Sequence, residues 1–401
     1  MKIFKNRNHR LLSIVTVAVT SFLGTHAFAQ DDNGEFSGFE FSNDGLRIEG
    51  ENVSVSLGGR IHYDIVSLQE DTTPLVYDSS ALRRLRVDAT FEFGDDWALK
   101  LDHDIGGVST GWKNAWLSYR GIDRVTLRAG QFIAPLTGDN MMNSSNLKLP
   151  ERAAPNVLAP NFLTGLAANY RTQHVSITAG VFGNAIDTDP LRTPDEGTSV
   201  IGRVVFAPIR TRNHVAQVAV AAERRELNTG EPTRVRSRHE FSLFSSPLLD
   251  TSALNGVSGY TTLNAEAMVI NGPLLVRAQV TSRQNDAPAL GDPAFTGQAI
   301  EGAWVLTGER QRYGRTNGNY GYIRPEHSWG AIEVAARLSE LDLNDGTVSG
   351  GSDRSASIGI NWYVNDNVRV MTSYIRSEID PAGGLPTETV RGILTRFQVA
   401  Y

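Results

Sequence analysis

Through most of this 401-residue chain, polar or charged side chains occupy every second position, with apolar ones between them. Over 53–66 the apolar set is Val53, Val55, Leu57, Ile61, Tyr63 and Ile65, and the polar set is Ser54, Ser56, Gly58, Arg60, His62 and Asp64. Over 84–93, Leu85, Val87, Ala89, Phe91 and Phe93 alternate with Arg84, Arg86, Asp88, Thr90 and Glu92. Further on, Val276, Ala278 and Val280 oppose Arg277, Gln279 and Thr281, and Ile332, Val334, Ala336 and Leu338 oppose Glu333, Arg337 and Ser339. Side chains alternate across a strand with a period of two, so each run reads as a strand with one apolar and one polar face. Ionised groups repeated in strand after strand cannot form the dry layer between two packed sheets, because burial strips them of hydration. They suit the wet interior of a closed barrel whose apolar face meets lipid. A mean hydropathy of −0.24 fits such a wall, since lipid sees only alternate residues.

The connections alternate as well. Short turns are expected at Asp95-Asp96, Gly121-Ile122-Asp123, Thr172-Gln173, 208–213, Asn271-Gly272-Pro273 and 364–367. Between them lie longer loops rich in Gly, Pro, Asn and Asp at 69–80, 106–111, 133–164, 183–198, 227–258, 285–298, 343–352 and 377–387. Strands counted between these breaks number sixteen, with 310–328 taken as one further, unusually long, turn. Short turns on one side and long loops on the other are the pattern of an antiparallel transmembrane β-barrel with an even strand number.

The ends of the chain agree. Lys2, Lys5, Arg7 and Arg10 precede a short apolar run at 11–23, and Ala27-Phe28-Ala29 supplies small residues at −3 and −1 of a cleavage site. This is the pattern of a Sec signal peptide over 1–29. The run is too short for the roughly 20 apolar residues of a membrane-spanning helix. A short polar lead-in on the periplasmic side is expected over 30–50 and the barrel over 51–401. Removing 29 of 401 residues leaves 372, or about 23 per strand with its connection, against roughly 10 for each spanning strand. The chain ends on an alternating strand, with Phe397, Val399 and Tyr401 on one face and Arg396 and Gln398 on the other. A terminal aromatic there resembles the signal read by the barrel-assembly machinery. Trp97, Trp112, Trp116, Tyr119, Trp329, Trp362 and Tyr363 fall near strand ends, where aromatic girdles meet the membrane interface. Together these features place the chain in the outer membrane of a Gram-negative envelope, in contact with lipid and lipopolysaccharide.

Charge narrows the function. The chain has 38 basic and 44 acidic residues; without the four bases of the leader the balance is 34 against 44, a net −10. A chain of that charge lacks the basic footprint of a nucleic-acid binder. After residue 29 the only lysines are Lys100, Lys113 and Lys148, so the remaining bases are arginines, whose planar fork suits oxyanions. No cysteine is present, so neither disulfides nor thiolate metal sites enter. His62, His103, His174, His214, His239 and His327 are scattered without a His-x-x-x-His spacing or any other ligand-like cluster, so no metal, cofactor or catalytic group is expected. An enzyme would hold loop 133–164 over a cleft at the rim, whereas a pore would fold it into the lumen.

Several stretches resemble the phosphate-selective porin O/P family. They are Gly58-Gly59-Arg60, Leu82-Arg83-Arg84, and Gly130-Gln131-Phe132 with Pro135, ahead of a long loop that contains Ser144-Ser145 and Glu151-Arg152. Gly202-Arg203-Val204-Val205-Phe206-Ala207-Pro208, Leu306-Thr307-Gly308-Glu309 and Gly359-Ile360-Asn361-Trp362-Tyr363 follow in order. The resemblance implies a sixteen-stranded barrel, a homotrimer, and loop 133–164 folded inward. It also implies passive diffusion of small inorganic anions, phosphate or polyphosphate among them, along an arginine ladder to a constriction. The matching constriction residues are Arg83, Arg84 and Asp104, with Arg128 where the family has a lysine. Arg60 and Arg203 extend the ladder, and Arg234, Arg236 and Arg238 resemble an arginine-rich loop that dips into the pore. Alternation independently puts Arg60, Arg84, Arg128 and Arg203 on the polar face; Arg83 joins them only if a bulge intervenes. The chain departs from the family in its near-lack of lysines at the periplasmic mouth, where Arg47, Arg310, Arg312, Arg315 and Arg324 are the available substitutes. The competing expectation is a general or carbohydrate diffusion porin without anion specificity. In that case the arginines only brace lumen acids such as Asp88, Glu92, Asp102, Glu266 and Glu333.

Overall fold

The computed structural model describes residues 38–42, 45–71, 76–107, 110–186, 197–228, 233–238, 240–241, 249–314 and 317–401; the expected signal peptide over 1–29 lies outside them. Sixteen antiparallel strands form the wall: β1 (Val53–Glu70), β2 (Val76–Phe93), β3 (Trp97–Gly107), β4 (Gly111–Ile122), β5 (Val125–Ile133), β6 (Phe162–Arg171), β7 (Val175–Phe182) and β8 (Thr198–Arg210). They continue as β9 (His214–Glu226), β10 (Gly259–Asn271), β11 (Leu274–Asp286), β12 (Ala294–Val305), β13 (Ala331–Asp345), β14 (Val348–Tyr363), β15 (Val368–Asp380) and β16 (Glu388–Ala400). Each pairs with its neighbours in sequence, and β16 closes on β1 from Val390↔Glu70 to Ala400↔Arg60. Closure leaves no unpaired edge in the hydrocarbon, where a bare backbone amide would find no partner. Tyr401 and Gly59 complete the seam by exchanging backbone hydrogen bonds of 2.9 and 3.0 Å.

Several features differ from expectation, among them the loop expected over 69–80, where the strands run to Glu70 and resume at Val76. The lead-in is itself a hairpin, Gly38–Ser42 against Gly45–Glu49, and its second strand pairs with Ser54–Leu57 below the point where β16 ends. The expected loop over 343–352 is mostly strand. A two-residue connection at Gly346-Thr347 joins Asp345 to its partner Val348, and Gly346 takes φ +56°, the left-handed geometry that makes Asp-Gly a hairpin signal. The remaining glycines and asparagines of that stretch mark a bulge between Asp342 and Asn344 rather than a loop.

The face that carries the apolar residues changes with height. In the lower part of β1, Ile61, Tyr63 and Ile65 point outward and are 40–46% exposed, while His62 and Asp64 point inward and are buried. Toward the loop side the inward residues become Val66 and Leu68, both 1% exposed, and outward Ser67 and Gln69 are exposed and polar. Leu341 and Leu343, Ile375 and Ile379, and Val390 and Leu394 repeat this on β13, β15 and β16. Below the inversion the wall is apolar outside, for lipid; above it the barrel has an apolar core, as a water-soluble barrel does. At the turn side, Trp97, Trp304, Trp329, Trp362 and Tyr401 form an exposed aromatic belt, with Trp97 and Tyr119 4.7 Å apart. Trp116 and Tyr363 do not belong to it. Tyr363 is buried inside the barrel, and Trp116 packs inward beneath Arg128.

Candidate functional site

The connection between β5 and β6, residues 134–161, leaves the rim and runs through the lumen. Thr137 caps a single helical turn, α1 (Gly138–Met141), by accepting the Asn140 amide at 3.1 Å. Asp139, 1% exposed, accepts Arg277 at 2.6 Å and the Ala153 amide at 3.1 Å, which draws the loop's two arms together. The Arg152 guanidinium donates to the carbonyls of Asp139, Asn140 and Met142. Beyond this clasp, Leu147 and Leu149 pack into an apolar cluster with Met268 and Ile270. Lys148 sits fully buried 2.8 Å from Glu333, and Asn361 and Arg369 donate to the carbonyls of Lys148 and Leu147. A buried ion pair contributes little net stability against its desolvation, yet removing one partner is costly. Such pairs therefore fix where the loop sits more than they stabilise the barrel.

Three bulges interrupt the pairing of the adjacent strands β1 to β4, and the first aims charge at this loop. Between β1 and β2 the pairing passes from His62↔Arg84 to Tyr63↔Leu82, which makes Arg83 the extra residue. Ile105 is the extra residue between β2 and β3, and Lys113 between β3 and β4. The first bulge turns Arg83 inward beside Arg84. Arg83 holds Glu151 of the loop in a two-pronged contact of 2.9 and 3.0 Å. Arg84 lies 3.9 Å from the same carboxylate and 3.3 Å from His62 Nδ1. Arg396 completes the set, reaching Glu151 at 2.7 Å while also gripping Asp64 at 2.6 and 2.7 Å. Burial by itself raises the Glu151 carboxyl's pKa; Arg83, Arg396 and Arg84 outweigh it and hold the group well below the usual carboxylate range.

Asp104 accepts Arg86 at 2.9 Å and the Leu85 amide at 3.1 Å. Lys113 lies within electrostatic reach of Asp104, Asp102, Arg84 and Arg86. The structure thus brings Lys113 into this group, where the sequence reading placed Arg128. Arg128 stands apart, its guanidinium 4.4 Å from the Trp116 ring centre and 5.2 Å from that of Phe132, with no carboxylate partner among the described residues. Arg60 donates to Asn143 and Ser144 of the loop at 2.5 and 3.3 Å. Arg203 is paired with Glu266 at 2.7 Å and donates to the Leu136 carbonyl at 2.9 Å. The sequence reading named Glu151 in a family-like stretch, Arg86 and Arg396 on polar faces and Lys113 among the few lysines, but placed none of them in the site. A signal existed for Lys113 and Arg83, because Lys113-Asn114 and Arg83-Arg84 are doubled polar steps that break the alternation where each bulge lies.

Two other segments enter the barrel. From the loop side, 227–258 buries Val235, Phe241, Leu249, Leu254 and Val257 against the upper inner wall. Its Glu240 grips Arg337 at 3.0 and 2.5 Å. Arg234, Arg236 and Arg238 are exposed, alternating with buried Val235 and Ser237, and Arg234 pairs with Asp250 at 2.7 Å. From the turn side, 306–330 also folds inward: Gln217 donates to the Gly318 carbonyl at 2.7 Å, and Asn319 meets the Gly138 carbonyl of the first loop at 3.0 Å. Between the seam of the wall and the two inserted segments an opening of about 290 Å³ faces the turn side, lined among others by Arg60, Lys100, Arg312, Arg324, Asp88 and Asp366. Of the other expected substitutes for lysine, Arg47 pairs with Glu49 at 2.7 Å, Arg310 donates to the Arg212 carbonyl at 3.2 Å, and Arg315 lies outside the described residues.

The family model described as phosphate-selective porin O and P matches residues 55–401. Porin O of Pseudomonas aeruginosa is 25% identical over 393 residues, which cover 87% of this chain and 88% of that protein. Among solved structures, the anion-selective porin from Comamonas acidovorans superposes with a TM-score of 0.57 at 11% identity, covering 87% of this chain and 100% of that one. The trimer form of OmpT from Vibrio cholerae gives 0.54 at 10% identity, covering 88% and 100%. The two solved structures share the fold. The family model, continuous from the first wall strand to the C-terminus, shows more: this chain belongs to the phosphate-selective porin O and P family and is an outer-membrane porin.

Proposed function

We propose that small anions, phosphate among them, diffuse passively through an arginine-lined path between the inner wall of β1–β5 and the inserted loop 134–161, with its narrowest point at Arg83 and Arg84. The observation that carries this reading is the balance of charge on that wall. Arg60, Arg83, Arg84, Arg86, Lys100, Lys113 and Arg128 project from it, against Asp64, Asp88, Asp102 and Asp104, while Glu92 at its turn-side end pairs with Arg120. Guanidinium groups replace part of an oxyanion's hydration shell with charge-assisted hydrogen bonds, and several moderate sites pass an ion along better than one tight site. Arg128, resting on two aromatic rings, is a step on that path; Arg203, closed by Glu266, braces the loop. Arg234, Arg236 and Arg238 lend positive potential at the outer mouth. The position of loop 134–161 in the lumen, rather than over a rim cleft, supports a pore over an enzyme.

The same reading includes a homotrimer in contact with lipid and lipopolysaccharide, delivered by the barrel-assembly machinery. Outward-facing Phe397, Val399 and Tyr401 on the closing strand support the last point. The test of the anion path is ion selectivity in planar bilayers. Wild type is expected to give a reversal potential favouring chloride over potassium. Arg84→Ala is expected to lower that preference by roughly tenfold, the factor that a charge-assisted contact worth about 1.4 kcal/mol supplies. An unchanged anion conductance in folded Arg84→Ala channels would remove Arg84 from the path, and cation selectivity in wild type would overturn the whole reading.

A further inference from the structure

The arginines proposed to receive anions already hold one. We infer that Glu151 is a tethered competitor ion: its carboxylate occupies the anion site made by Arg83, Arg84 and Arg396, and a passing oxyanion crosses the constriction by displacing it. This inference rests on the anion-path reading above and assigns the specificity of that site to a loop residue.

Three observations point to a displaceable carboxylate rather than a structural pin. First, Glu151 and Arg83 keep 12% and 14% of their side-chain surface open, so both partners are open, whereas Lys148–Glu333 is at 0% on both sides and Asp139–Arg277 and Arg203–Glu266 each keep one partner at 0–1%. Second, the loop does not depend on Glu151 for its place. Arg396 donates to the Pro150 carbonyl, Asn361 to that of Lys148 and Arg369 to that of Leu147, while Arg152 clasps the arm from within. The side chain can swing while the backbone stays. Third, the partners are unevenly committed. Arg396 retains Asp64 and Arg84 retains His62 when Glu151 leaves, but the Arg83 side chain has no other acceptor among the described residues. Departure of Glu151 therefore opens a two-pronged donor that fits the two oxygens of a phosphate as it fits those of a carboxylate.

The carboxylate does for the arginines what a bound anion would, without leaving the protein. An ion with one diffuse charge and no directed lone pairs, such as chloride, competes with it poorly for the Arg83 fork. A divalent oxyanion competes well. Because its exit is followed at once by return of a group held at high local concentration, the oxyanion is released rather than trapped. Without the tether the site would bind phosphate and hold it.

The experiment measures how inorganic phosphate reduces single-channel chloride current in wild type, Glu151→Gln and Arg83→Gln, each first shown to run as a heat-resistant folded barrel. Glu151→Gln keeps the side chain's size and removes its charge. Its half-blocking phosphate concentration is expected to fall by about tenfold, within what a charge-assisted contact supplies. An unchanged half-blocking concentration overturns the inference, including when total conductance grows because the loop has loosened. Should Glu151→Gln fail to assemble, Glu151→Asp decides. Its retracted carboxylate is expected to shift the value in the same direction by a smaller factor, and no shift sinks the proposal. Arg83→Gln separates the two levels. If it leaves chloride preference and phosphate block as in wild type, the anion path itself fails at this point. If it lowers both while Glu151→Gln changes nothing, only the tether fails.

Discussion

At the scale of single residues, the lumen of this porin is a set of guanidiniums distinguished by their partners. Arg203 is closed by Glu266 and the Leu136 carbonyl, Arg396 by Asp64 and Glu151, and Arg337 by Glu240 and Glu301. Arg83 shares one accessible carboxylate, and Arg128 leans on two aromatic rings. On the proposed reading, the cations that exchange partners with a passing ion are those on the β1–β5 side, and the number of arginines is a poorer guide than their neighbours. Protonation gives a test at the same scale. Glu151 has a pKa depressed by Arg83, Arg396 and Arg84, with Asp64 sharing Arg396, so it stays ionised as pH falls through the ordinary carboxylate range. The hold it supplies is present above its unfolded pKa and is lost only below its lowered folded value. Chloride preference is therefore expected to be flat from about pH 7 to about pH 5 in wild type. It rises on further acidification as the tether neutralises; a rise already complete at about pH 5 would contradict the depressed pKa.

At the scale of elements, three connections do what no strand does and fill the barrel they close. Loop 134–161 is fixed by buried ion pairs and backbone carbonyls, 306–330 by side-chain contacts from below, and 227–258 by an apolar core. The last of these depends on one buried pair. Glu240 is 1% exposed and satisfies both Arg337 and Ser357. Glu240→Ala strands a buried guanidinium, a change that typically costs about 3–5 kcal/mol. Here the lower end applies, because Arg337 keeps Glu301 at 3.2 Å. The expected result is a loop open to protease within 227–258, in a barrel whose resistance to heat is little altered; a loop as protected as in wild type would show that the apolar core alone suffices. The pattern within elements was readable in part. The inward and outward sets of β1 and β2 are those the alternation gives, and the shift of Arg83 onto the inner face follows from the bulge it required. What could not be read was Arg128, because its place depends on Trp116 turning inward rather than to the girdle.

At the scale of the whole molecule, the exchange of apolar and polar faces along the strands sets how the barrel stands in its membrane. Ile300 on β12 lies outward, 49% exposed, four residues from Trp304 of the turn-side belt. It therefore falls near the middle of the apolar band. Ile300→Arg is expected to cost about 2–4 kcal/mol of folding stability in lipid, measured by denaturant titration in vesicles. Leu341→Arg, inward and above the inversion, is expected to disturb packing of 227–258 instead, with lipid insertion preserved. If the two variants were equally defective in insertion, the inversion would not mark the membrane boundary. On the outward face of the upper strands, Glu340 and Glu378 pair with Arg354 and Arg376, so the polar band above the inversion carries both signs of charge.

The sequence by itself determined the strand number, the sidedness of turns and loops, the closed barrel and the polar face from which Arg60, Arg84, Arg128 and Arg203 project. A period of two and the chemistry of turns are local, and lipid enforces them in every strand alike. Only the tertiary structure decided which of those arginines meet. The pairing of Glu151 with Arg83 and Arg396 joins residues 68 and 245 positions apart. That pairing exists because a loop from between β5 and β6 crosses the lumen to the seam where β16 meets β1. No spacing along the chain encodes that path. It is set by which buried carbonyls and carboxylates find donors once the wall has closed, so the strands are legible in the sequence and the constriction is not.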